Sequence, residues 1–278
     1  AVMTAATAAM TEIPVMMTET TEPVVTSSDA VTAAHTVTVA PAVYGRLLVM
    51  EKPPGRFRHE MKYGLDGTAD IILSSRLRKL FRHDRHADSH GSYRVSSLYF
   101  DTPYDKAMWE KMAGIRKREK FRIRYYNDDM SFIRLEKKYK AGNLCSKRSA
   151  SLTFQQVVRL LEGDAEFLLE SGDALLTEFY SKIKGQLLRP VTMVSYMREA
   201  FLYDPGNVRI TIDRQLRSGS WYAGFPADMR KVADVSEGKG VLEVKYDDFL
   251  PDIVRMAVQA DGLRWQAYSK YAASRRFD

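Results

Sequence analysis

Two neighbouring stretches in the middle of the chain alternate cationic with apolar residues, and this pattern constrains the fold more than any other feature. The even positions from 118 to 124 hold Arg118, Lys120, Arg122 and Arg124, whereas the odd positions between them are mostly apolar. Successive side chains of a β-strand point to opposite faces, so the stretch predicts a strand with four cations on one face. Like charges at this density repel one another, and a folded chain that carries them needs open solvent or an anion on that face.

A second strand repeats the pattern after a tight turn. The turn is Asn127-Asp128-Asp129, and Arg134, Glu136 and Lys138 then share one face of the next strand. A solvated outer surface is the simplest explanation of one such hairpin. The same alternation recurs on strands far apart in the chain, however, and this favours a common cationic interior.

The charge of the chain is unevenly distributed. The 278 residues carry a formal net charge of +7. Residues 1–45 contain four acids and no Lys or Arg, so the remainder carries +11, the difference between +7 and −4. A polyanion is therefore the natural partner. Nucleic acid is the weaker candidate, because base stacking needs aromatic residues on the basic face and the basic strands lack such interleaving.

The single cysteine, Cys145, excludes an intrachain disulfide and a cysteine zinc site, and it fits a reducing compartment. The sequence shows neither a basic leader with an apolar core nor an apolar run long enough to span a bilayer. We therefore predict a soluble, cytoplasmic protein without a membrane span. Residues 1–50, rich in Thr, Ala and Val, are predicted to be a flexible tail, and residues 51–278 to be the folded domain.

Helical patterns lie between the predicted strands. Asp66 or Thr68 can cap a first helix, Thr153 and Gln156 form a capping box for another, and a final helix is predicted from about Ala267 to Arg275. The buried stripe of the first helix is predicted to consist of Ile71, Ile72, Leu77, Leu80 and Phe81.

The polar faces of the predicted strands collect many cations and a few acids. The members of this set are Arg58, Glu60, Lys62, Arg122, Arg124, Arg134, Glu136, Lys138, Arg198, Arg209, Glu243 and Lys245. About eight antiparallel strands of this kind can close into a barrel with a hydrated cationic interior and helices on its outside. The predicted fold class is therefore α+β, with a closed antiparallel β-barrel. Such an interior suits an extended phosphate chain held by the cations and a divalent Mn or Mg ion held by carboxylates.

Eight motifs, in the order of the chain, resemble one known family. They are Arg58-His59-Glu60-Met61-Lys62, Ser97-Leu98-Tyr99-Phe100-Asp101-Thr102, Arg122-Ile123-Arg124-Tyr125, Leu135-Glu136-Lys137-Lys138, Tyr196-Met197-Arg198, Val208-Arg209-Ile210-Thr211-Ile212-Asp213, Leu242-Glu243-Val244-Lys245 and Ser269-Lys270-Tyr271. Together they resemble the VTC (vacuolar transporter chaperone) polyphosphate polymerase domain of the triphosphate tunnel metalloenzyme (CYTH-like) superfamily. The resemblance implies an antiparallel β-tunnel that binds ATP, triphosphate or polyphosphate with a divalent metal. In the VTC branch, the γ-phosphate of ATP is moved onto a growing polyphosphate chain.

The resemblance and the shared polar face together suggest roles for individual residues. The catalytic group is Lys62, Arg122, Arg124, Lys138, Arg198, Arg209 and Lys245. The substrate-binding group is Arg58, Arg134, Lys147, Ser269 and Lys270. Glu243 matches the metal-binding glutamate of the family. Glu60 or Glu136 is the candidate for a second metal ligand, unless these two glutamates only neutralise adjacent lysines.

One departure from the superfamily pattern concerns Arg58. It stands where the first Glu of the hydrolase signature Glu-x-Glu-x-Lys would be, which removes one metal-binding carboxylate and weakens a two-metal hydrolase mechanism. A tripolyphosphatase or nucleoside triphosphatase of the same fold is one alternative to a polymerase, and a non-catalytic polyphosphate-binding module is another. The sequence does not choose between water and a phosphate chain as the acceptor.

Overall fold

The computed structural model describes residues 56–276, and the predicted flexible tail, residues 1–50, lies outside this range. Within it there are ten strands: β1 (Arg58–Leu65), β2 (Arg82–His83), β3 (Ser92–Asp101), β4 (Lys117–Tyr126), β5 (Asp129–Ala141), β6 (Leu144–Leu152), β7 (Arg189–Tyr203), β8 (Val208–Ser220), β9 (Ala233–Asp234) and β10 (Gly240–Tyr246). The same range contains seven α-helices: α1 (Gly67–Leu80), α2 (Lys106–Met112), α3 (Phe154–Leu161), α4 (Phe167–Glu170), α5 (Ala174–Gln186), α6 (Asp252–Ala257) and α7 (Lys270–Ser274). None of these helices is both long enough and apolar enough to cross a membrane.

The eight longer strands form a closed ring in which every neighbouring pair is antiparallel. The order around the ring is β7-β3-β4-β5-β6-β1-β10-β8, and the pairing of β8 with β7 closes it. The two-residue strands β2 and β9 pair with β7 and β8. The ring confirms the predicted α+β fold with a closed antiparallel barrel of about eight strands. Its interior is termed the tunnel below.

Two apolar clusters cover the outside of the ring. Helices α3, α4 and α5 pack on β3, β4 and β5 around the fully buried Ile123, Leu135 and Phe179. Helices α1 and α6 pack on β1, β8 and β10 around Leu73 and Val244. Because the apolar positions are held outward by the helices, the alternation of each strand turns its charged positions into the tunnel.

The first helix confirms one prediction and contradicts another. The Asp66 side chain caps α1 by accepting a hydrogen bond from the Ala69 N–H (2.8 Å). Leu77 and Phe81 of the predicted stripe are buried, but three other members are exposed: Ile71, Ile72 and Leu80. The helix carries apolar residues on more than one side, so their spacing did not reveal which side meets the sheet.

The seam between β6 and β1 is the weakest in the ring, because only the first two residues of β1 pair with β6. The C-terminal segment lines β1 beyond this point. Tyr63 forms a bridge with Trp265, and the Gln266 N–H donates a hydrogen bond to the Lys62 carbonyl (3.0 Å). The final helix is consequently shorter than predicted, since the segment runs along β1 before α7 begins at Lys270.

Candidate functional site

The tunnel encloses a cavity of about 500 Å³. Thirteen of the fifteen predicted site residues line it: Arg58, Glu60, Lys62, Arg122, Arg124, Lys138, Lys147, Arg198, Arg209, Glu243, Lys245, Ser269 and Lys270. They come from β1, β4, β5, β6, β7, β8, β10 and the segment that leads into α7. Strands that lie far apart in the sequence therefore contribute to one site.

A first ion-pair network joins β1 to β10 and to β5. Lys62 Nζ lies 3.3 Å from Glu60 Oε1 and 3.7 Å from Glu243 Oε2. Lys138 Nζ lies 2.8 Å from Glu60 Oε2, and Lys245 Nζ lies 2.7 Å from Glu243 Oε1. Three lysines thus hold two carboxylates side by side on the tunnel wall.

Within this network, attraction between opposite charges affects the pKa values of Glu60 and Lys62 more than burial does. Burial and the neighbouring Glu243 carboxylate favour the neutral form of Glu60, but Lys138 and Lys62 lower the pKa of Glu60 to about 2. Burial also favours the neutral form of Lys62, but Glu243 and Glu60 raise the pKa of Lys62 above its ordinary value. Glu60 and Lys62 are therefore both charged at neutral pH.

Glu136 is buried against the tunnel wall and does not line the cavity. Its Oε2 accepts hydrogen bonds from Arg122 Nε (2.8 Å) and Nη2 (2.7 Å), and its Oε1 accepts one from Lys147 Nζ (2.6 Å). Burial opposes the charge, but Arg122, Arg124 and Lys147 hold the pKa of Glu136 well below its usual range. Glu136 fits the neutralising role better than the metal-binding role, because it does not line the cavity, whereas Glu60 and Glu243 do.

Arg134 is the other predicted site residue that the structure does not bring into the cavity. Its Nη1 donates a hydrogen bond to Ser151 Oγ, and its guanidinium lies 4.8 Å from the centroid of the Phe132 ring. Arg134 shares a strand face with Glu136 but lies two residues nearer to the β4–β5 turn. Membership of the inner face is therefore not sufficient for contact with the cavity.

Asp213 is absent from the predicted site residues, although it binds two of them. It accepts hydrogen bonds from Arg198 Nε (2.6 Å) and Nη2 (2.8 Å), and Lys270 Nζ lies 2.5 Å from its Oδ2. Burial would raise the pKa of Asp213, but Arg198 and Lys270 lower it to about 2. The sequence carries a signal for this role, because Asp213 alternates with Arg209 and Thr211 on the polar face of β8.

Two further acids neutralise predicted cations. Asp84 Oδ2 accepts a hydrogen bond from Arg209 Nη2 (2.6 Å), which also donates to the Tyr93 hydroxyl (2.8 Å). Asp247 Oδ1 accepts one from Arg58 Nε (2.9 Å). Both acids lie in loops that follow strands, so strand alternation could not identify them.

Tyrosines lie among the tunnel cations, and the expectation that the basic strands lack aromatic residues on their basic face is wrong for β7. Arg122 lies 5.8 Å from the centroid of the Tyr99 ring, and Lys270 lies 4.6 Å from that of the Tyr196 ring. Tyr99 lies on β3, whereas Tyr196 lies on β7, two residues before Arg198 on the same face. Cations of the tunnel thus occupy ring faces that a nucleic-acid base would need.

The oxygens around Glu243 fit a divalent cation, which the family resemblance implies. Glu60 lies beside Glu243, and the Thr211 hydroxyl, opposite Glu243 in the β8–β10 register, is buried without a hydrogen-bond partner. Carboxylate and hydroxyl oxygens suit Mg²⁺ and Mn²⁺. Among residues 56–276 no group of three or more His, Cys, Asp or Glu side chains could hold a metal, so oxygens of the substrate would have to complete the coordination.

Comparison with known proteins gives one family and several distant structures. The family model of the VTC domain matches residues 57–277. Similar solved structures include a candidate adenylyl cyclase from Hippeastrum that is described as having a dominant triphosphatase activity (13% identity, 78% of this chain and 95% of that chain covered, TM-score 0.45). Another is a candidate adenylate cyclase from Bacillus halodurans (15% identity, 73% and 86% covered, TM-score 0.42). No curated protein matches the chain.

Proposed function

The chain belongs to the VTC domain family, and from this membership we propose that it is a metal-dependent phosphotransferase that moves the γ-phosphate of ATP onto a polyphosphate chain. The observation that supports the proposal is the convergence of four arginines on one cavity from three strands. These are Arg122, Arg124, Arg198 and Arg209. A triphosphate or a polyphosphate is the kind of ligand whose charge such a cavity would neutralise.

Fixed guanidinium groups suit phosphoryl transfer. The charge of the transferred group spreads over its equatorial oxygens in the transition state, so cations that are already in place supply much of the rate enhancement. Arg122 is held by Glu136 and by the Tyr99 hydroxyl (3.0 Å), and Arg198 is held by both oxygens of Asp213. Neither guanidinium has to be ordered when the substrate binds.

The lysines and glutamates of the first network have complementary roles in this proposal. Lys62, Lys138 and Lys245 steady the transferring phosphoryl group, and the Tyr268 carbonyl accepts a hydrogen bond from Lys62 Nζ (3.2 Å) that fixes its position. Glu243, with Glu60, would hold Mn²⁺ or Mg²⁺, which would supply positive charge to neutralise the phosphate oxygens.

A tripolyphosphatase or nucleoside triphosphatase is the second candidate. Glu60 and Lys62 retain the second half of the hydrolase signature, and both line the cavity. Water would then be the acceptor in place of a phosphate chain. Arg58, which occupies the position of the first signature glutamate, bonds to Asp247 and leaves the site with one carboxylate fewer.

One experiment separates these functions. The full chain is incubated with ATP and Mn²⁺, with and without a short polyphosphate primer, and the products are sized on a gel. We expect phosphate chains that lengthen with time and form faster with the primer. Release of orthophosphate without chains would replace the polymerase with the triphosphatase. Polyphosphate binding without any turnover would leave a non-catalytic binding module.

A further inference from the structure

Four cations form a group at one end of the tunnel, termed the mouth cluster: Lys111, Arg118, Lys120 and Lys140. Lys111 lies in the last turn of α2, shortly before β4, whereas Lys140 is the next-to-last residue of β5. Arg118 is directly opposite Lys140 in the β4–β5 ladder, and Lys120 is opposite Lys138. All four line the same cavity as the proposed transfer site. None of them is among the predicted site residues.

In the described part of the chain, no carboxylate lies within ion-pair distance of the mouth cluster. Arg118 Nη1 donates to the Ile115 carbonyl, and Lys120 Nζ donates to the Ser269 hydroxyl (3.2 Å), and neither acceptor carries a charge. Like charges directly opposite one another destabilise a sheet. The cluster therefore lowers the stability of the ligand-free protein and offers unneutralised charge to an anion.

The excess of positive charge in the mouth cluster is clearest around Lys120. The groups that face it from the surrounding elements are Arg118, Lys138, Lys62, Asp101, Ser269 and Tyr271. Burial and the three neighbouring cations lower the pKa of Lys120 to about 7, and only the carboxylate acts in the opposite direction. An anion that reached Lys120 would raise this pKa again, so binding near neutral pH would take up a proton.

We propose that the mouth cluster binds the part of a polyphosphate chain that lies outside the transfer site, and this inference rests on the proposed function. Lys120 and Arg118 follow Arg122 on the inner face of β4. A linear polyanion whose reacting end is held by Arg122 therefore passes these side chains on its way out of the tunnel. A long chain gains contacts here that a triphosphate does not. Single-stranded nucleic acid fits less well, because the nearby Tyr271 ring already carries Lys120 on its face (4.7 Å).

The test compares two double variants of equal charge. Arg118→Gln/Lys140→Gln removes two mouth charges. The substitutions break no ion pair, so we expect the double variant to fold. Arg217→Gln/Lys231→Gln is the control, since both residues are exposed and lie outside the cavity. Calorimetric titrations of each full chain with tripolyphosphate and with long-chain polyphosphate, over a series of NaCl concentrations, give affinities and their salt dependence.

We expect the mouth variant to bind long-chain polyphosphate about tenfold more weakly than the control, with the slope of log affinity against log salt shallower by about 1.4, as the loss of two phosphate contacts predicts. Its affinity for tripolyphosphate should change by less than about threefold. Proton uptake on binding of the long chain, measured in buffers of different ionisation enthalpy, should accompany wild-type binding near neutral pH.

Three outcomes would overturn the inference. The first is long-chain affinity and salt slope equal to those of the control. The second is an equal loss for tripolyphosphate, which would place the four cations within the transfer site. The third is single-stranded DNA that competes as well as polyphosphate does. Wild-type protein that binds neither phosphate ligand would instead refute the proposed function itself, and the inference with it.

Discussion

The interior of the tunnel and its mouth both carry Lys and Arg, and strand β4 contributes to each, yet they differ in how their charge is balanced. In the interior, Arg122 is paired with Glu136 and Arg198 with Asp213. At the mouth, Arg118 faces Lys140 without a carboxylate partner in the described range. Cations on one face of a sheet can therefore form ion pairs that stabilise the fold in one region and remain available to bind an anion in the next.

The two arrangements have different physical consequences. A paired guanidinium is fixed in orientation and is partly neutralised before any ligand binds. It therefore positions the ligand more than it adds to the attraction for it. An unpaired cation near solvent contributes attraction that salt screens. We therefore expect interior substitutions to change stability and turnover, and mouth substitutions to change affinity and its salt dependence.

Removal of an interior acid should have the largest effect on stability. Asp213→Ala leaves Arg198 and Lys270 buried without their carboxylate, and breaking a buried pair in this way costs about 3–5 kcal/mol. Urea unfolding followed by tryptophan fluorescence measures the loss. Asp261→Ala, which removes an exposed acid, is the control and should stay within about 0.5 kcal/mol of the wild type. Equal losses in both variants would show that the interior pairs do not support the fold.

Removal of an interior arginine should mainly reduce turnover. Arg122→Gln is expected to lower the rate of the Mn²⁺–ATP reaction by about 10²–10³-fold, because one fixed donor to the transferring group is lost. The protein should still fold, since Glu136 keeps Lys147 as a partner. Arg217→Gln is the matched surface control. A rate within about tenfold of the control would exclude Arg122 from the transition-state contacts.

Acid should weaken the interior pairs. The pKa of Asp213 is about 2 in the folded protein, against an ordinary value of 3.8. The stability that its charge contributes is therefore complete above pH 3.8 and is lost as the pH falls through 2. The shift corresponds to about 2 kcal/mol. Melting temperatures between about pH 5 and pH 2 should fall less steeply in Asp213→Asn than in the wild type, and parallel curves would contradict this assignment.

Removal of a mouth charge should stabilise the folded protein, whereas removal of an interior acid destabilises it. The pKa of Lys120 is about 7 in the folded protein and 10.5 in the unfolded reference, so its buried charge destabilises the fold fully below pH 7 and ceases to do so as the pH rises towards 10.5. Lys120→Met should therefore be more stable than the wild type by about 1–2 kcal/mol near pH 6. Urea unfolding near pH 6 and near pH 9 measures this advantage, and an advantage independent of pH would refute the explanation.

The smallest effect is expected at Arg134. Its side chain contacts Ser151 and Phe132 outside the cavity, so Arg134→Gln should change polyphosphate affinity by less than about twofold. The titration described for the mouth variant measures it. A tenfold loss would show that Arg134 reaches the ligand after all and belongs to the substrate-binding group.

The closed ring could be predicted from the sequence because alternation is a strong local signal. A one-residue shift in any strand would turn its charges outward, so the alternate charged positions of each strand had to share a face. The helical spacing of apolar residues was a poorer guide for α1, where Ile71 and Ile72 are apolar yet exposed. A helix with apolar residues on several sides packs by tertiary geometry, which spacing alone does not contain.

The residues of the site were predictable, but their pairings were not. Alternation places Lys138 and Glu60 on inner faces, whereas only the tilt and register of the strands bring them within 2.8 Å of each other across 78 positions of sequence. Alternation also treats Lys120 and Arg122 alike, although only one of them has a carboxylate partner in the described structure. The distinction depends on which acids lie opposite, and this is a property of the folded ring.

The pairing of β1 with β10 joins the first and the last strands of the ring. Contacts between segments so far apart form late, because a long loop must close before they can be made. During synthesis, Lys62 therefore cannot pair with the Glu243 carboxylate until residue 243 has left the ribosome. The proposed phosphate site is thus a property of the completed ring, and a fragment that ends before β10 should not form it.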